Sequence, residues 1–100
     1  MSNVKSIYNS ITSKRDYYAG GDIMKIYNVK KTNEFAPSQW EGKTKDGQMV
    51  YIKYRNGYLS LGVGKDINEA IENLRVIHKT RRKGSCMPTL TMLRLIEQIY

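Results

Sequence analysis

Two turn signals, Asp46-Gly47 and Asn56-Gly57, interrupt a stretch over residues 39–63 in which apolar and polar side chains alternate. Both dipeptides favour the tight turns of β-hairpins, because Asn, Asp and Gly tolerate the positive φ that these turns require. Alternation with a period of two places apolar side chains on one face of a strand. The pattern therefore predicts a three-stranded antiparallel meander over residues 39–63.

The Asn56-Gly57 turn also predicts the register of the second hairpin. A two-residue turn places Arg55 opposite Tyr58, and further pairs step outward along both strands from there. One face of the hairpin then becomes apolar and the other polar. The predicted apolar pairs are Tyr54 with Leu59, Ile52 with Leu61, and Val50 with Val63.

The Asp46-Gly47 turn allows two registers for the first hairpin. A two-residue loop places Glu41 and Lys43 on the apolar face, whereas a three-residue loop that begins at Lys45 places Trp40 there. We prefer the three-residue loop, because a shift of one residue moves every side chain of the strand to the opposite face. The predicted apolar face comprises Trp40, Val50, Ile52, Tyr54, Leu59, Leu61 and Val63. The predicted outer face comprises Glu41, Lys43, Met49, Tyr51, Lys53, Arg55 and Tyr58.

The first third of the chain predicts helical structure and connections. Apolar residues at helical spacing predict an amphipathic helix over residues 3–14. Residues 16–21 contain a glycine pair and are predicted to be a connection. Residues 22–29 are too short a run to distinguish a second helix from a strand. Residues 30–37 are mostly polar and are predicted to be a loop, with Pro37 favouring an extended approach to the meander.

Two helices are predicted after the meander. Asp66 and Glu69 form a capping-box pattern, and apolar residues at helical spacing extend the helix over about 66–79. We expect this helix to pack on the apolar face of the sheet. Pro88 suits the first turn of a last helix, whose apolar residues lie on more than one side. This helix is therefore either buried or packs against a second copy, which would give a homodimer through residues 88–100.

The expected fold class is α+β, in a single domain over residues 1–100, because a chain of 100 residues suits one modest core. The single cysteine, Cys86, excludes an internal disulfide and is typical of a reducing compartment. We recognise neither a signal peptide nor an apolar run of membrane-spanning length. We therefore expect a soluble cytoplasmic protein without a membrane partner.

The charge balance predicts a polyanionic partner. The chain has 17 Lys and Arg against 9 Asp and Glu, a formal net charge of +8. Such an excess favours binding to nucleic acid or to a nucleoprotein complex, and its alternative explanation is solubility alone. Eight tyrosines add side chains that combine apolar area with a polar tip, which suits contact surfaces and small cores alike.

Basic and aromatic side chains share the predicted outer face. Lys53 lies beside Arg55 there, between tyrosines, so the face could neutralise phosphates and stack on bases; the alternative is an ordinary solvated sheet face. A basic run over residues 78–83 follows the predicted helix, either as cations that suit a helix end or as phosphate contacts. The residues predicted to bind nucleic acid or another partner are Lys43, Tyr51, Lys53, Arg55, Tyr58, Lys79, Arg81, Arg82 and Lys83.

The sequence shows no set of residues suited to catalysis. Its acidic residues are scattered, and no spacing pairs a nucleophile with a base. One histidine and one cysteine do not make a zinc site. We therefore expect a binding protein that is not an enzyme, with no catalytic residue, no metal ligand and no cofactor.

A meander followed by a helix that opens with Asp66-Ile67-Asn68-Glu69-Ala70 resembles the AP2 and integrase arm-type DNA-binding domains. The resemblance covers residues 39–78. It implies that the sheet enters the major groove of DNA while the helix supports its back. The first strand departs from that family in carrying Glu41, where the family is usually basic. The groove-facing positions that it implies are Lys43, Tyr51, Lys53, Arg55 and Tyr58. The order α-βββ-α is also similar to that of double-stranded RNA-binding domains. In that family the helix begins with basic residues, whereas here it begins with Asp-Ile-Asn-Glu.

A second resemblance concerns the style of the whole chain. A small, basic, tyrosine-rich domain without catalytic residues is similar to many phage-encoded accessory proteins. Some of these block host defence, including CRISPR effector complexes, by protein contact. The first expected function is thus binding of nucleic acid, with DNA preferred to RNA. The alternative is a phage-encoded, anti-CRISPR-like inhibitor or adaptor that binds a host protein or ribonucleoprotein complex in the host cytoplasm.

Overall fold

The computed structural model describes residues 17–20, 24–33 and 35–100, with side chains from Met24 onward. The helix predicted over residues 3–14 lies outside the described residues. The described residues form six strands and two helices, as follows: β1 (Tyr17–Gly20), β2 (Lys25–Asn33), β3 (Ser38–Lys43), β4 (Met49–Arg55), β5 (Tyr58–Gly64), α1 (Ile67–Glu72), β6 (Arg75–Lys79) and α2 (Thr89–Ile99).

The strands form an antiparallel sheet in which each strand pairs with the next along the chain. The α+β class is therefore confirmed. The prediction of a three-stranded sheet was wrong, because the predicted strands β3 to β5 are the centre of a larger sheet. Strands β1 and β2 extend it on one side, and β6 extends it on the other.

Strand β2 shows that residues 25–29 of the undecided run are a strand, and it corrects two neighbouring predictions. It extends to Asn33, into the predicted loop, and it pairs with β1, which lies where a connection was predicted. Ile26 and Val29 are three residues apart, yet both are buried in this strand. A bulge at Asn28, whose φ is 56°, brings both side chains into the core. The irregular strand thus buries two side chains that a regular alternation would place on opposite faces.

Both hairpins have the predicted registers. Arg55 pairs with Tyr58, and the apolar pairs beyond them are those expected. In the first hairpin, Trp40 pairs with Ile52 on the apolar face, as the three-residue loop requires. Gly47 has the left-handed φ of 87° that this loop demands. All seven residues of the predicted apolar face are buried or pack against the core.

The helix predicted over about 66–79 is much shorter in the structure. Its cap forms as expected, because the Asp66 carboxylate accepts a hydrogen bond from the Glu69 amide at 2.9 Å. The helix nevertheless ends at Glu72, and residues 75–79 form β6. The β-branched pair Val76-Ile77 favours a strand, and pairing with β5 satisfies its backbone.

The two helices cover opposite faces of the sheet. Helix α1 lies on the outer face, where the backbone at Ala70 packs directly on Gly62. The prediction that it covers the apolar face was wrong. Helix α2 covers that face instead, through three buried residues, Met92, Leu93 and Ile96, that share a core with the apolar strand residues.

The burial of α2 favours the first of its two alternatives, a helix that completes the core of its own chain. A homodimer through residues 88–100 stays a prediction. Within the part of the chain that the structure describes, no helix is both long enough and apolar enough to span a membrane.

Candidate nucleic-acid interface

The outer face of the sheet is not uniformly exposed, because α1 covers one side of it. Tyr51 pairs with Gly62 across β4 and β5, and it is only 8 % exposed beside the helix. Burial raises the pKa of the Tyr51 hydroxyl, and the negative charge of Glu41 raises it further. Tyr51 therefore offers little ring surface to a ligand.

The exposed cations of this face lie towards the Asn56-Gly57 turn. Arg55 is exposed, Lys53 is half-buried one step further along β4, and Tyr58 is 41 % exposed opposite Arg55. Two of the predicted binding residues on β4 and one on β5 thus lie together at one end of the sheet. Lys43 is exposed at the other end, where it pairs with Met49.

Strand β6 joins the basic run to this end of the sheet. Lys79 pairs with Tyr58, and its ammonium lies 5.6 Å from the centre of the tyrosine ring, a cation–π contact. Residues 78–79 are therefore part of an edge strand. The alternative explanation of the run as cations at a helix end was wrong, because α1 ends at Glu72.

The loop after β6 is anchored on the hairpin turn. The Gly57 amide donates to the Gly84 carbonyl at 2.7 Å, and the Thr80 amide donates to the Gly57 carbonyl at 2.8 Å. Gly57 has a φ of 83°, and a Cβ there would lie 2.5 Å from the Arg82 carbonyl oxygen. The turn must therefore be glycine both for its backbone conformation and for the close approach of the loop. The loop holds Arg81, Arg82 and Lys83, all exposed.

The hydroxyl of Thr80 is the polar centre of this anchor. It lies 2.7 Å from the Arg82 carbonyl oxygen and 3.1 Å from that of Gly57, and it donates its single hydrogen to one of them. It also lies 2.8 Å from the Tyr54 hydroxyl, which must then be the donor in that bond. Tyr54 faces the core, so the basic loop is tied to the folded interior.

Replacing Thr80 with valine should lower the free energy of unfolding by about 1–2 kcal/mol, because the Tyr54 hydroxyl loses its acceptor and a carbonyl its donor. Amide exchange of residues 81–84 should become faster as the loop loosens. Chemical denaturation and hydrogen exchange measure the two effects. Thr91→Val, the same change at an exposed position of α2, should leave both unchanged. Equal behaviour of the two variants would show that the Thr80 hydroxyl does not hold the loop.

We define the basic end as the surface that these elements bring together. Its members are Arg55, Tyr58, Lys79, Arg81, Arg82 and Lys83. All five cations are exposed, and none forms an ion pair with a carboxylate of the described residues. Their positive charges are therefore not neutralised locally by the rest of the described fold.

Sequence reasoning missed two basic residues that face this sheet or lie at its edge. Arg75 begins β6 and is exposed, but it was assigned to the predicted helix. Lys30 pairs with Glu41 from β2, but it was assigned to a loop. The only sequence signal for either was the β-branched character of the neighbouring residues.

Lys30 and Lys43 belong to a different feature, a cavity between β2, β3 and β4. It has a volume of about 220 Å³. Its lining residues are Asn28, Lys30, Glu41, Gly42, Lys43 and Met49.

No group of three His, Cys, Asp or Glu side chains suited to a metal ion occurs among the described residues. Comparison of the chain with protein-family models, with curated proteins and with solved structures finds no match.

Proposed function

We propose that this protein is a non-enzymatic nucleic-acid-binding protein that contacts phosphates through its basic end. The observation that supports this proposal is that five exposed cations, none in an ion pair with a described carboxylate, lie on elements that meet at the Asn56-Gly57 turn. They come from β4, β6 and the loop anchored on Gly57. Convergence on one surface is what phosphate binding needs, because neighbouring cations can contact successive phosphates of one strand.

The electrostatics of such a surface are favourable for polyanions. Each cation that neutralises a phosphate releases counterions, so affinity falls steeply as salt increases. Tyr58 adds an exposed aromatic ring whose neighbour Lys79 is itself cationic. A base that stacks on such a ring contributes about 1–3 kcal/mol of binding free energy, and any of the bases can stack in this way. We place DNA before RNA as the preferred ligand, and the same measurement on both decides between them.

A salt series tests the proposal directly. If all five cations contact phosphates of duplex DNA, the logarithm of affinity should fall with the logarithm of salt concentration with a slope of about −4 to −5. Replacing Lys79, Arg82 and Lys83 with glutamine should reduce the magnitude of that slope by about 2–3. Fluorescence anisotropy with duplex DNA, single-stranded DNA and RNA gives the slope for each ligand.

A control of equal charge distinguishes a site from a general effect of net charge. Lys25, Lys65 and Arg94 are exposed and lie outside the basic end. Their triple replacement with glutamine removes the same charge and should leave the slope nearly unchanged. The proposal would be wrong if both triple variants lost affinity equally, or if no nucleic acid bound with an affinity that falls with salt.

A second candidate function is supported by apolar exposure beside the basic end. Val76 on the edge strand β6 is 56 % exposed, and it pairs with Ser60 next to Tyr58. Exposed apolar area at a basic sheet edge suits contact with a protein or with a ribonucleoprotein complex. This is the phage-encoded inhibitor or adaptor proposed as the alternative. It predicts no useful affinity for free nucleic acid and recovery of one host complex in a pull-down that Val76→Lys abolishes.

A further inference from the structure

The cavity between β2, β3 and β4 arises where the pairing of two strands is interrupted. Tyr27 pairs with Lys43 and Lys30 pairs with Glu41, so two residues of β2 face a single residue, Gly42, between these pairs. Asn28 occupies this bulge with its left-handed backbone. Bulges of this kind redirect side chains and are frequent next to functional sites. The cavity is thus built by the fold around a local irregularity.

The size of the cavity restricts what it can hold. Its volume is about 220 Å³. Pockets for drug-sized ligands have volumes of about 300–1,000 Å³. The cavity therefore suits one flat ring system rather than a whole nucleotide or a larger cofactor.

The charges in the cavity do not suit a phosphate group alone. Lys30 and Lys43 would attract a phosphate, but Glu41, which pairs with Lys30 and lies two residues from Lys43, also lines the cavity and would repel it. Glu41 pairs directly with Lys30 in the sheet, yet it forms no ion pair or hydrogen bond with any described side chain. The Glu41 side chain is only half-buried, so its carboxylate oxygens are accessible to a ligand that carries N–H groups.

We propose that the cavity is a subsite for one unpaired guanine base of a bound nucleic-acid strand. Guanine presents two adjacent donors, N1–H and the N2 amino group, which match the two oxygens of the Glu41 carboxylate. Its O6 and N7 are acceptors for a lysine ammonium, here that of Lys30 or Lys43. The Met49 side chain supplies an apolar surface for the ring. Cytosine and adenine offer one amino group, and thymine offers one N–H, so each satisfies the carboxylate less completely.

The cavity lies within reach of a strand bound at the basic end, and this inference rests on the function proposed above. Glu41 pairs with Tyr51, which is four residues from Arg55 along β4. At about 3.4 Å per residue, the two places are about 14 Å apart on the same face of the sheet. Gln39 and Lys53 pair between them, so polar and basic side chains continue along the path.

The test uses single-stranded thymidine decamers that carry one guanine, adenine, cytosine or hypoxanthine, or none, at the central position. The unmodified protein should bind the guanine decamer at least about fivefold more tightly than the all-thymidine decamer, the smallest effect expected of a bidentate base contact. Hypoxanthine lacks the N2 amino group and should lose most of that preference. Equal affinity for all five decamers would overturn the subsite.

A variant then assigns the preference to the cavity. Glu41→Gln should abolish the preference for guanine while affinity for the all-thymidine decamer is retained, because the basic end is intact. Glu72→Gln, the same change at an exposed position of α1, should keep the preference. A preference that survives Glu41→Gln contradicts the subsite but leaves the basic end as the binding surface. Absence of binding to every decamer would also overturn the subsite, and only absence of salt-dependent binding to duplex DNA and RNA as well would contradict the proposed function itself.

Discussion

Replacement of Trp40 with alanine is expected to lower the free energy of unfolding by about 3–5 kcal/mol, the cost of truncating a large buried aromatic side chain. Trp40 is fully buried at the centre of the core, between the sheet and α2. Its indole N–H donates to the Thr89 hydroxyl at 3.0 Å, and the Lys31 ammonium lies 5.5 Å from its ring centre. Domains of this size are stable by about 5–15 kcal/mol, so the variant should be partly unfolded at moderate temperature.

Two milder variants separate packing from hydrogen bonding at the same place. Thr89→Val leaves the indole N–H without its acceptor and should cost about 1–3 kcal/mol. Trp40→Phe retains an aromatic ring, and its free energy of unfolding should lie between those of the other two variants. Urea denaturation followed by circular dichroism measures all three. A Trp40→Ala variant as stable as Thr89→Val would show that the tryptophan does not fill the core between the sheet and α2.

Replacement of Gly62 with alanine should destabilise the protein by about 3 kcal/mol or more, at or beyond the upper end of ordinary overpacking. A Cβ at this position would overlap the carbonyl oxygen of Ala70 and would lie 2.9 Å from the amide nitrogen of Leu74. Both are backbone atoms, so a side-chain rotation cannot relieve the contact. The helix α1 must move away from the sheet, and Tyr51 beneath it should become exposed.

Gly84→Ala is the matched control for this substitution, because a Cβ there has no neighbour within 4 Å. It should change the free energy of unfolding by less than about 1 kcal/mol. Hydrogen exchange should show faster exchange of residues 67–73 in Gly62→Ala and no change there in Gly84→Ala. Protection of α1 that survives Gly62→Ala would contradict its placement on the outer face.

The hairpin registers could be predicted because they depend on neighbouring residues. A two-residue Asn56-Gly57 turn admits one pairing of its flanking strands, and the alternation of side chains then assigns each residue to a face. The placement of Trp40 followed in the same way, once the first turn was given a three-residue loop. Local turn chemistry thus determined the centre of the sheet and its apolar face.

The helix predicted over about 66–79 shows where local patterns fail. Asp66 caps a helix, as its sequence indicates, but the apolar spacing beyond Glu72 suits a strand as well as a helix. Pairing of Val76 and its neighbours with β5 decided between them, and such pairing is a long-range contact. A signal for the position of α1 was available in Gly62, whose missing side chain on the outer face leaves room for a helix.

The candidate site likewise has features that local sequence predicts and others that only long-range contacts decide. Individual cations and tyrosines could be named from composition and alternation. Their arrangement could not, because the basic run reaches Tyr58 only through β6 and the anchor at Thr80. The bulge at Asn28 that opens the cavity likewise has no turn signal of its own.

The sequence by itself determined the two hairpins, the two faces of their strands, the cap of α1 and the excess of positive charge, since each of these depends on residues close together in the chain. Only the tertiary structure decided which helix covers which face, that residues 75–79 are a strand, and that the cations of β4, β6 and the following loop converge. The physical reason is that hydrogen bonding between distant strands and the close approach of α1 to Gly62 select among local structures of similar intrinsic preference.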